Sequence, residues 1–349
     1  MPPRRTPGPG KTRRLAAVAI AAKVAFLKRP GSYPDAPRRV EVAETHMSWV
    51  FLTARHAYKL KKPVRYDFFD FRTIAARRRN CEEEVRLNRR LAPDVYLGTV
   101  PLTIDPKGGL HLGGFGEAVD WLVKMHRLPA DRALGRAIET GTLHAAQVRT
   151  FALELARFYK ASAPVPMSPS EYLARFAVDI EDNRRALNDP RYGLHAGLVK
   201  TVSEAQRAFL RARPELFEKR VRDGRVVEAH GDLRPEHIFL GPKPQIIDCL
   251  EFRRAFRLLD PADELSFLAL ECERLGGPAV GDLVFDVYRQ VTSDAPPEKL
   301  ISFYKAYRAC IRAKLAVWHL RDADAREPEK WPALARAYLA LAQGYASHR

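Results

Sequence analysis

Glu228-Ala-His-Gly-Asp-Leu-Arg-Pro-Glu-His-Ile-Phe-Leu240, followed by Gln245-Ile-Ile-Asp-Cys-Leu-Glu-Phe252, is the stretch on which the reading of the whole chain turns. Val226 to Ala229 and Gln245 to Ile247 are short apolar runs and read as strands, while Gly231 and Pro235 mark irregular chain between them. Asp232 and Asp248, sixteen residues apart with the strands between them, fit a hairpin with one aspartate in its entry loop and the other just past its exit strand. A hairpin of that kind delivers two carboxylates to one place.

Two carboxylates so placed suit phosphoryl transfer. One orients an acceptor hydroxyl and takes its proton, and the other holds Mg²⁺ against nucleotide phosphates. The plain alternative is a turn aspartate and a strand-end aspartate with no shared task. Working outward, Val40 to Thr45, Ser48 to Thr53 and Ala57 to Lys61 read as strands, the last two joined at Arg55-His56. Ile74 to Leu91 has helical spacing (Cys81, Val85, Leu87, Leu91) and Pro93 closes it. Tyr96 to Ile104 and Ala118 to Met125 are extended, separated by a glycine-rich turn from Gly108 to Gly116. Beyond Met125 the pattern is helical over Leu143 to Tyr159, Pro169 to Leu187, Val199 to Phe217, from Pro261 onward, and most clearly over Ile301 to Leu320. The expected organisation is a basic disordered tail at 1–14, a first lobe at 15–125 that opens with a helix, and a helical second lobe at 126–349 bearing both aspartate loops.

A net charge of +17 raises nucleic acid as a partner, but its placement argues against it. Residues 1–39 hold ten Lys or Arg and one acid, Asp35, so nine of the seventeen excess charges belong to the N-terminal arm. Its first fourteen residues include four prolines and two glycines, the composition of a solvated tail. Leu15 to Leu27 is apolar except for Lys23, and thirteen residues are too few to span a bilayer. Lys23 and the following Lys28-Arg29 also disfavour a signal peptide, so a cytoplasmic protein without a membrane role is expected. Cys81, Cys249, Cys272 and Cys310 are scattered without metal-site or disulfide spacing and read as reduced thiols.

In His230-Gly231-Asp232 and Ile247-Asp248 the sequence resembles the aminoglycoside phosphotransferase-like kinases. The resemblance implies an α+β, two-lobed protein-kinase-like fold, with a small antiparallel-sheet N-lobe and a mainly helical C-lobe. It implies Asp232 as catalytic base, Asp248 as the principal Mg²⁺ ligand and His230 as a structural brace for the loop. The family's second metal ligand is an asparagine five residues after the base, and here that position is His237. Histidine suits softer divalent ions than Mg²⁺. His237 therefore binds Mn²⁺ or Mg²⁺, contacts phosphate, or leaves one metal position unfilled. Ala57-Tyr58-Lys59 has the spacing of the kinase third strand, so Lys59 is expected at the nucleotide phosphates, with Lys61 on the same face as the alternative. Its carboxylate partner is one of Glu82, Glu83 and Glu84, and Glu84 is preferred because Leu87 and Leu91 follow it on one stripe. The turn Glu44-Thr-His-Met-Ser48 stands where kinases carry a glycine-rich loop; lacking glycine, it offers Thr45, Ser48 and backbone amides to phosphate. Asp120 to Met125 corresponds to the hinge, whose backbone at Val123 and Met125 would pair with adenine.

Longer strings look like an uncharacterised bacterial branch of this family: Glu44-Thr-His-Met-Ser-Trp-Val-Phe-Leu52, Tyr58-Lys-Leu-Lys-Lys-Pro63, Cys81-Glu-Glu-Glu-Val-Arg-Leu-Asn-Arg-Arg-Leu91 and Ile247-Asp-Cys-Leu-Glu-Phe252. Some members of that branch join this domain to a P-loop ATPase domain, which is not expected here: at Gly10-Lys11-Thr12, Arg5 replaces the first P-loop glycine. Leu259-Asp-Pro-Ala-Asp-Glu-Leu265 resembles the family segment in which an aspartate braces the catalytic loop, so Asp260 and Asp263 are expected to be structural. The implied activity is ATP-dependent phosphorylation of a small-molecule hydroxyl; the other reading is a nucleotide-binding pseudokinase with a regulatory role, motivated by His237 and the glycine-free turn. Residues 261–349 hold twelve acids and twelve Lys or Arg, a balance that does not favour polycationic aminoglycosides. Arg308, Arg312 and Lys314 suit an anionic acceptor, or are solvated helix charges.

Overall fold

The computed structural model describes residues 18–66, 69–321 and 328–347, so the basic segment 1–14 lies outside the described residues. These residues divide into two compact units, one within Met1–Glu82 and Leu97–Arg127, the other within Glu83–Tyr96 and Leu128–Arg349.

The first unit is built on a six-stranded sheet. Its strands are β1 (Glu41–Glu44), β2 (Ser48–Leu52), β3 (His56–Lys61), β6 (Tyr96–Ile104), β7 (Leu110–Leu112) and β8 (Glu117–His126), ordered β1-β2-β3-β8-β6-β7. The pairings β1–β2, β2–β3, β3–β8 and β6–β7 are antiparallel. Alternation along these strands buries Phe51, Tyr58, Leu102 and Leu122 against Phe26 and Leu27 of α1 (Ile20–Leu27). The Thr53 amide and hydroxyl pair with His56 and close the turn between β2 and β3. The short pair β4 (Arg65–Tyr66) and β5 (Phe69–Asp70) follows, then α2 (Ile74–Asn88), which runs on into the second unit. Strand β7 lies inside the stretch read from sequence as one glycine-rich turn, because three residues are too few to show a period.

Asp120 of β8 is the polar anchor of this unit. It is fully buried and accepts from Lys23 Nζ of α1 at 2.8 Å and from Arg77 Nε of α2 at 2.7 Å, with Arg77 Nη2 at 2.8 Å. Arg77 also donates to the Phe71 carbonyl at 2.7 Å, so one carboxylate ties two helices and a loop to the sheet.

In the second unit, α3 (Leu134–Glu139), α4 (Ala145–Ala161), α5 (Pro169–Leu187), α6 (Ala196–Ala212) and α7 (Pro214–Arg222) precede the aspartate loops. The single helix expected over Val199 to Phe217 is thus two. Pro214 has no amide proton and bars residue 213 from helical geometry, and Arg213 sits at φ −136°, ψ 43°. Next come β9 (Val227–Glu228), β10 (Ile238–Phe239), β11 (Gln245–Ile246) and β12 (Leu258–Leu259). Between Asp232 and Asp248, β10 and β11 form an antiparallel pair, while β9 pairs with β12. Then follow α8 (Pro261–Arg274), α9 (Ala279–Thr292), α10 (Glu298–Trp318) and α11 (Lys330–Ser347).

Nearly every side chain of α8 is buried, so it forms the centre of this unit. Its buried acids each have their own partners. Asp260 caps the helix through the Ala262 amide and takes Arg220 in a bidentate pair (2.7 Å each), while Arg308 holds Asp263 at 2.6 Å through two nitrogens. Among the described residues no helix is long and apolar enough to cross a membrane.

Removing a buried carboxylate that neutralises two buried cations costs about 3–5 kcal/mol. Asp120→Ala is therefore expected to lower the denaturant midpoint of the first unit's unfolding by that equivalent; a loss below about 1 kcal/mol would contradict the assignment of Asp120 as its anchor.

Candidate active site

The loop after β9 is shaped by Gly231, whose φ of +89° suits glycine; a Cβ there would stand 3.0 Å from Arg257 Cγ and 3.1 Å from Leu250 Cβ. In this loop the amides of His230 and Gly231 donate to the Glu264 carboxylate of α8, which also accepts the Tyr159 hydroxyl at 2.7 Å. The brace of the loop that bears Asp232 is therefore Glu264. Asp260 and Asp263 are structural as expected, but their partners are Arg220 and Arg308. Glu264 was overlooked because, in sequence, it is one of three acids at a helix start, and only the fold shows which one faces the loop.

His230 is fully buried, and its two ring nitrogens join the two aspartate loops. Nε2 lies 2.9 Å from the Ile247 carbonyl, which can only accept, so Nε2 carries the proton. Nδ1 then accepts from the Asp232 amide at 3.3 Å. Burial pushes the imidazole pKa down, in keeping with this neutral tautomer. His230 thus links the chain at Ile247 to the chain at Asp232.

His237 makes the second link. Its Nδ1 donates to the Asp232 carbonyl at 2.8 Å, leaving the Nε2 lone pair, which accepts from Arg234 Nη2 at 3.1 Å and lies 3.5 Å from Asp248 Oδ2. Nδ1 is also 3.8 Å from Asp232 Oδ2, so one imidazole stands beside both carboxylates. Asp232 is further paired with Arg234, Nη2 to Oδ2 at 3.0 Å. Burial raises the Asp232 pKa, but electrostatic attraction, led by the charge of Arg234, outweighs it and holds the carboxyl below its ordinary value. Arg234 was not singled out in the sequence, where an arginine two residues past the aspartate has no distinguishing pattern.

Asp248 adopts φ +62°, an uncommon conformation for a residue with a side chain. Its neighbours hold it there. The Asp248 amide donates to Tyr96 Oη at 3.1 Å, the Cys249 amide to Asn88 Oδ1 at 2.8 Å, and the Ile247 amide to the His237 carbonyl at 2.9 Å. Burial raises the Cys249 thiol pKa to about 12, so Cys249 is a packing and hydrogen-bonding group, with Sγ 3.0 Å from the His230 carbonyl.

The remaining expected site residues fall as follows. Glu84 is fully buried on α2, whereas Glu82 is exposed beside Arg78 and Glu83 pairs with Arg86 and Arg257. In the first unit, Lys59 lies opposite Val123 and Ala57 opposite Met125 in the β3–β8 ladder, and buried Lys61 lies opposite Ser48. Val123 and Met125 are interior residues of β8, which continues to His126. Thr45 Oγ1 accepts the amides of Met47 and Ser48, closing the β1–β2 turn on itself, and Ser48 is buried. Among the described residues no group of three or more His, Cys, Asp or Glu is arranged to hold a metal. His237 Nε2 and Asp248 Oδ2 form a two-donor set, which fits an ion completed by water and phosphate oxygens.

No protein-family model matches the chain. Uncharacterised proteins of Mycobacterium tuberculosis and Mycobacterium bovis are each 34% identical to it over 279 residues, 79% of this chain and 54% of the relative. The chain therefore spans about half the length of the curated relatives it matches. A choline/ethanolamine kinase family protein from Mesorhizobium loti superposes with a TM-score of 0.54 at 14% identity, covering 93% of this chain and 100% of its own. Aminoglycoside 2'-phosphotransferase-IIIa, solved with GDP, gives 0.53 at 14% identity, with 92% and 98% covered. The aminoglycoside phosphotransferase APH(4)-Ia, solved with AMP-PNP and hygromycin B, gives 0.52 at 11% identity, with 95% and 100% covered. The chain has the two-lobed α+β fold of the aminoglycoside phosphotransferase-like kinases.

Proposed function

We propose that this protein is a small-molecule phosphotransferase that moves the γ-phosphoryl group of ATP to a hydroxyl, with Asp232 as the base. The observation that carries this reading is the single imidazole of His237 beside both carboxylates, 3.8 Å from Asp232 Oδ2 and 3.5 Å from Asp248 Oδ2. Asp232 takes the hydroxyl proton. The acceptor oxygen bonds to the γ-phosphorus as the bond from that phosphorus to the bridging oxygen breaks, and ADP leaves with the electron pair. A carboxyl held below its ordinary pKa is ionised and can accept that proton.

A divalent ion would be held by Asp248 Oδ2 and His237 Nε2 and supplies charge neutralisation at the nucleotide phosphates. Arg234 Nη2 now occupies the Nε2 lone pair, so Arg234 must release it when an ion binds there. A nitrogen donor favours Mn²⁺ over Mg²⁺ more than an asparagine oxygen would. Lys59 or Lys61 as the phosphate ligand and Glu84 as its carboxylate partner belong to the same proposal, as do the backbone at Val123 and Met125 for adenine.

With water in place of the acceptor, the wild type is expected to hydrolyse ATP slowly when metal is present. Asp232→Asn should lower that rate about 10²- to 10⁴-fold while leaving nucleotide affinity within a few-fold. Nucleotide binding with no turnover in any variant, acceptors included, would favour the pseudokinase reading. His237→Asn is expected to raise turnover with Mg²⁺ relative to Mn²⁺, and an unchanged ratio would remove His237 from the metal set.

A further inference from the structure

Arg308, Arg312 and Lys314 share α10, and the structure gives them different surroundings. Arg308 is spent on Asp263, with two bonds of 2.6 Å in the core. Lys314 lies in the field of Asp179 and Asp182 and over the Trp318 ring. Arg312 is different. Its Nε donates to Glu271 Oε1 at 2.9 Å and lies 3.3 Å from the Tyr338 hydroxyl, and its guanidinium stands 5.6 Å from the Tyr338 ring and 6.0 Å from that of Phe267. These contacts fix the plane of the group through one edge. Neither Nη nitrogen has a hydrogen-bond partner among the described residues, so the end-on fork, which matches a carboxylate or phosphate bidentately, is open.

The position of this fork relates it to Asp232. Glu271, which holds Arg312, belongs to α8; that helix packs on α10 and on the Pro235–His237 turn that follows Asp232. Arg312 is close enough to Asp232 for their charges to stabilise each other. Asp232 also has Arg234 beside it, but Arg234 Nε and Nη1 are held by Asp232 and Glu236, and Nη2, once released from His237, still lies 3.0 Å from Asp232 Oδ2. Arg312 is therefore the cation near the proposed base whose donors remain to be used.

We propose that Arg312 anchors an anionic group, a carboxylate or a phosphate, on the acceptor molecule and so positions its hydroxyl at Asp232. This rests on the phosphotransferase reading and narrows it: the substrate is a hydroxylated anion, such as a hydroxy acid or a sugar or polyol phosphate, and not a cationic amino sugar or amino alcohol. Arg312 is a specificity residue in this scheme and takes no proton.

The test is ligand-observed NMR on the full chain saturated with a non-hydrolysable ATP analogue and Mg²⁺, using glycerol 3-phosphate, glycerate and glycerol as probes. The wild type should bind one or both charged probes, the stronger of the two identifying the anion, and should not bind glycerol. Arg312→Gln should weaken charged-probe binding roughly 10- to 100-fold, and Arg312→Lys should restore part of it. Glu271 keeps Arg274 and the Tyr338 hydroxyl in the glutamine variant, and binding of the ATP analogue checks that the variant is folded. Equal binding to wild type and Arg312→Gln, equal binding of glycerol, or no probe binding at all would overturn the inference alone. Failure of the wild type to bind the ATP analogue would instead sink the phosphotransferase reading and this one with it.

Discussion

Buried Glu264 accepts hydrogen bonds from two amides, those of His230 and Gly231, and from the Tyr159 hydroxyl. A buried carboxylate is stable only with such a set of donors, and the chain leaves this pair of amides through the positive φ of Gly231. The position of the loop that bears Asp232 thus depends on α8. That helix is in turn held at its start by Asp260 with Arg220, and along its length by Asp263 with Arg308 and Glu271 with Arg312. Removing Glu264 would take the acceptor from two peptide N–H groups, that of His230 being buried, which explains why an acid rather than an apolar residue stands in a core helix.

From the loop, order passes to Asp248 through two histidines that use their tautomers oppositely. His230 donates from Nε2 and accepts at Nδ1, whereas His237 donates from Nδ1 and keeps a lone pair on Nε2 beside Asp248. Each ring spends its proton on a backbone carbonyl, which fixes the ring plane and sets the job of the opposite nitrogen. The strained backbone at Asp248 persists because Tyr96, Asn88 and the His237 carbonyl hold the residues around it. Tyr96 and Asn88 flank the loop that follows α2, so the grouping of residues 83–96 with the helical unit has a direct bearing on the site.

The sequence makes the carrier residues legible because their spacing repeats a chemical need: two carboxylates at the ends of a short hairpin, with a histidine before the first. Most elements were legible too, since long amphipathic helices such as α5 carry their period openly. What escaped are interactions whose partners are remote in the chain. Glu264 is an ordinary helix acid until its loop partners are seen, and the two-residue strand Leu258–Leu259 that pairs with Val227–Glu228 is too short to show a period. Pro214 was within view and marks the break between α6 and α7, but the helical period on both sides of it masked the interruption. Of the three α10 cations, sequence could only group them by helix; the neighbours on α8 and α11 distinguish Arg312 from Arg308.

The most direct measurement of the central claim is a calorimetric titration of ATP into the wild type and Asp248→Asn, with Mg²⁺, with Mn²⁺ and with chelator. If Asp248 and His237 hold an ion against nucleotide phosphates, the wild type binds ATP far more tightly with metal than with chelator, and Asp248→Asn loses that difference. ATP binding that is indifferent to metal, or a metal dependence that survives in Asp248→Asn, would contradict the assignment of this pair of loops as a phosphoryl-transfer centre.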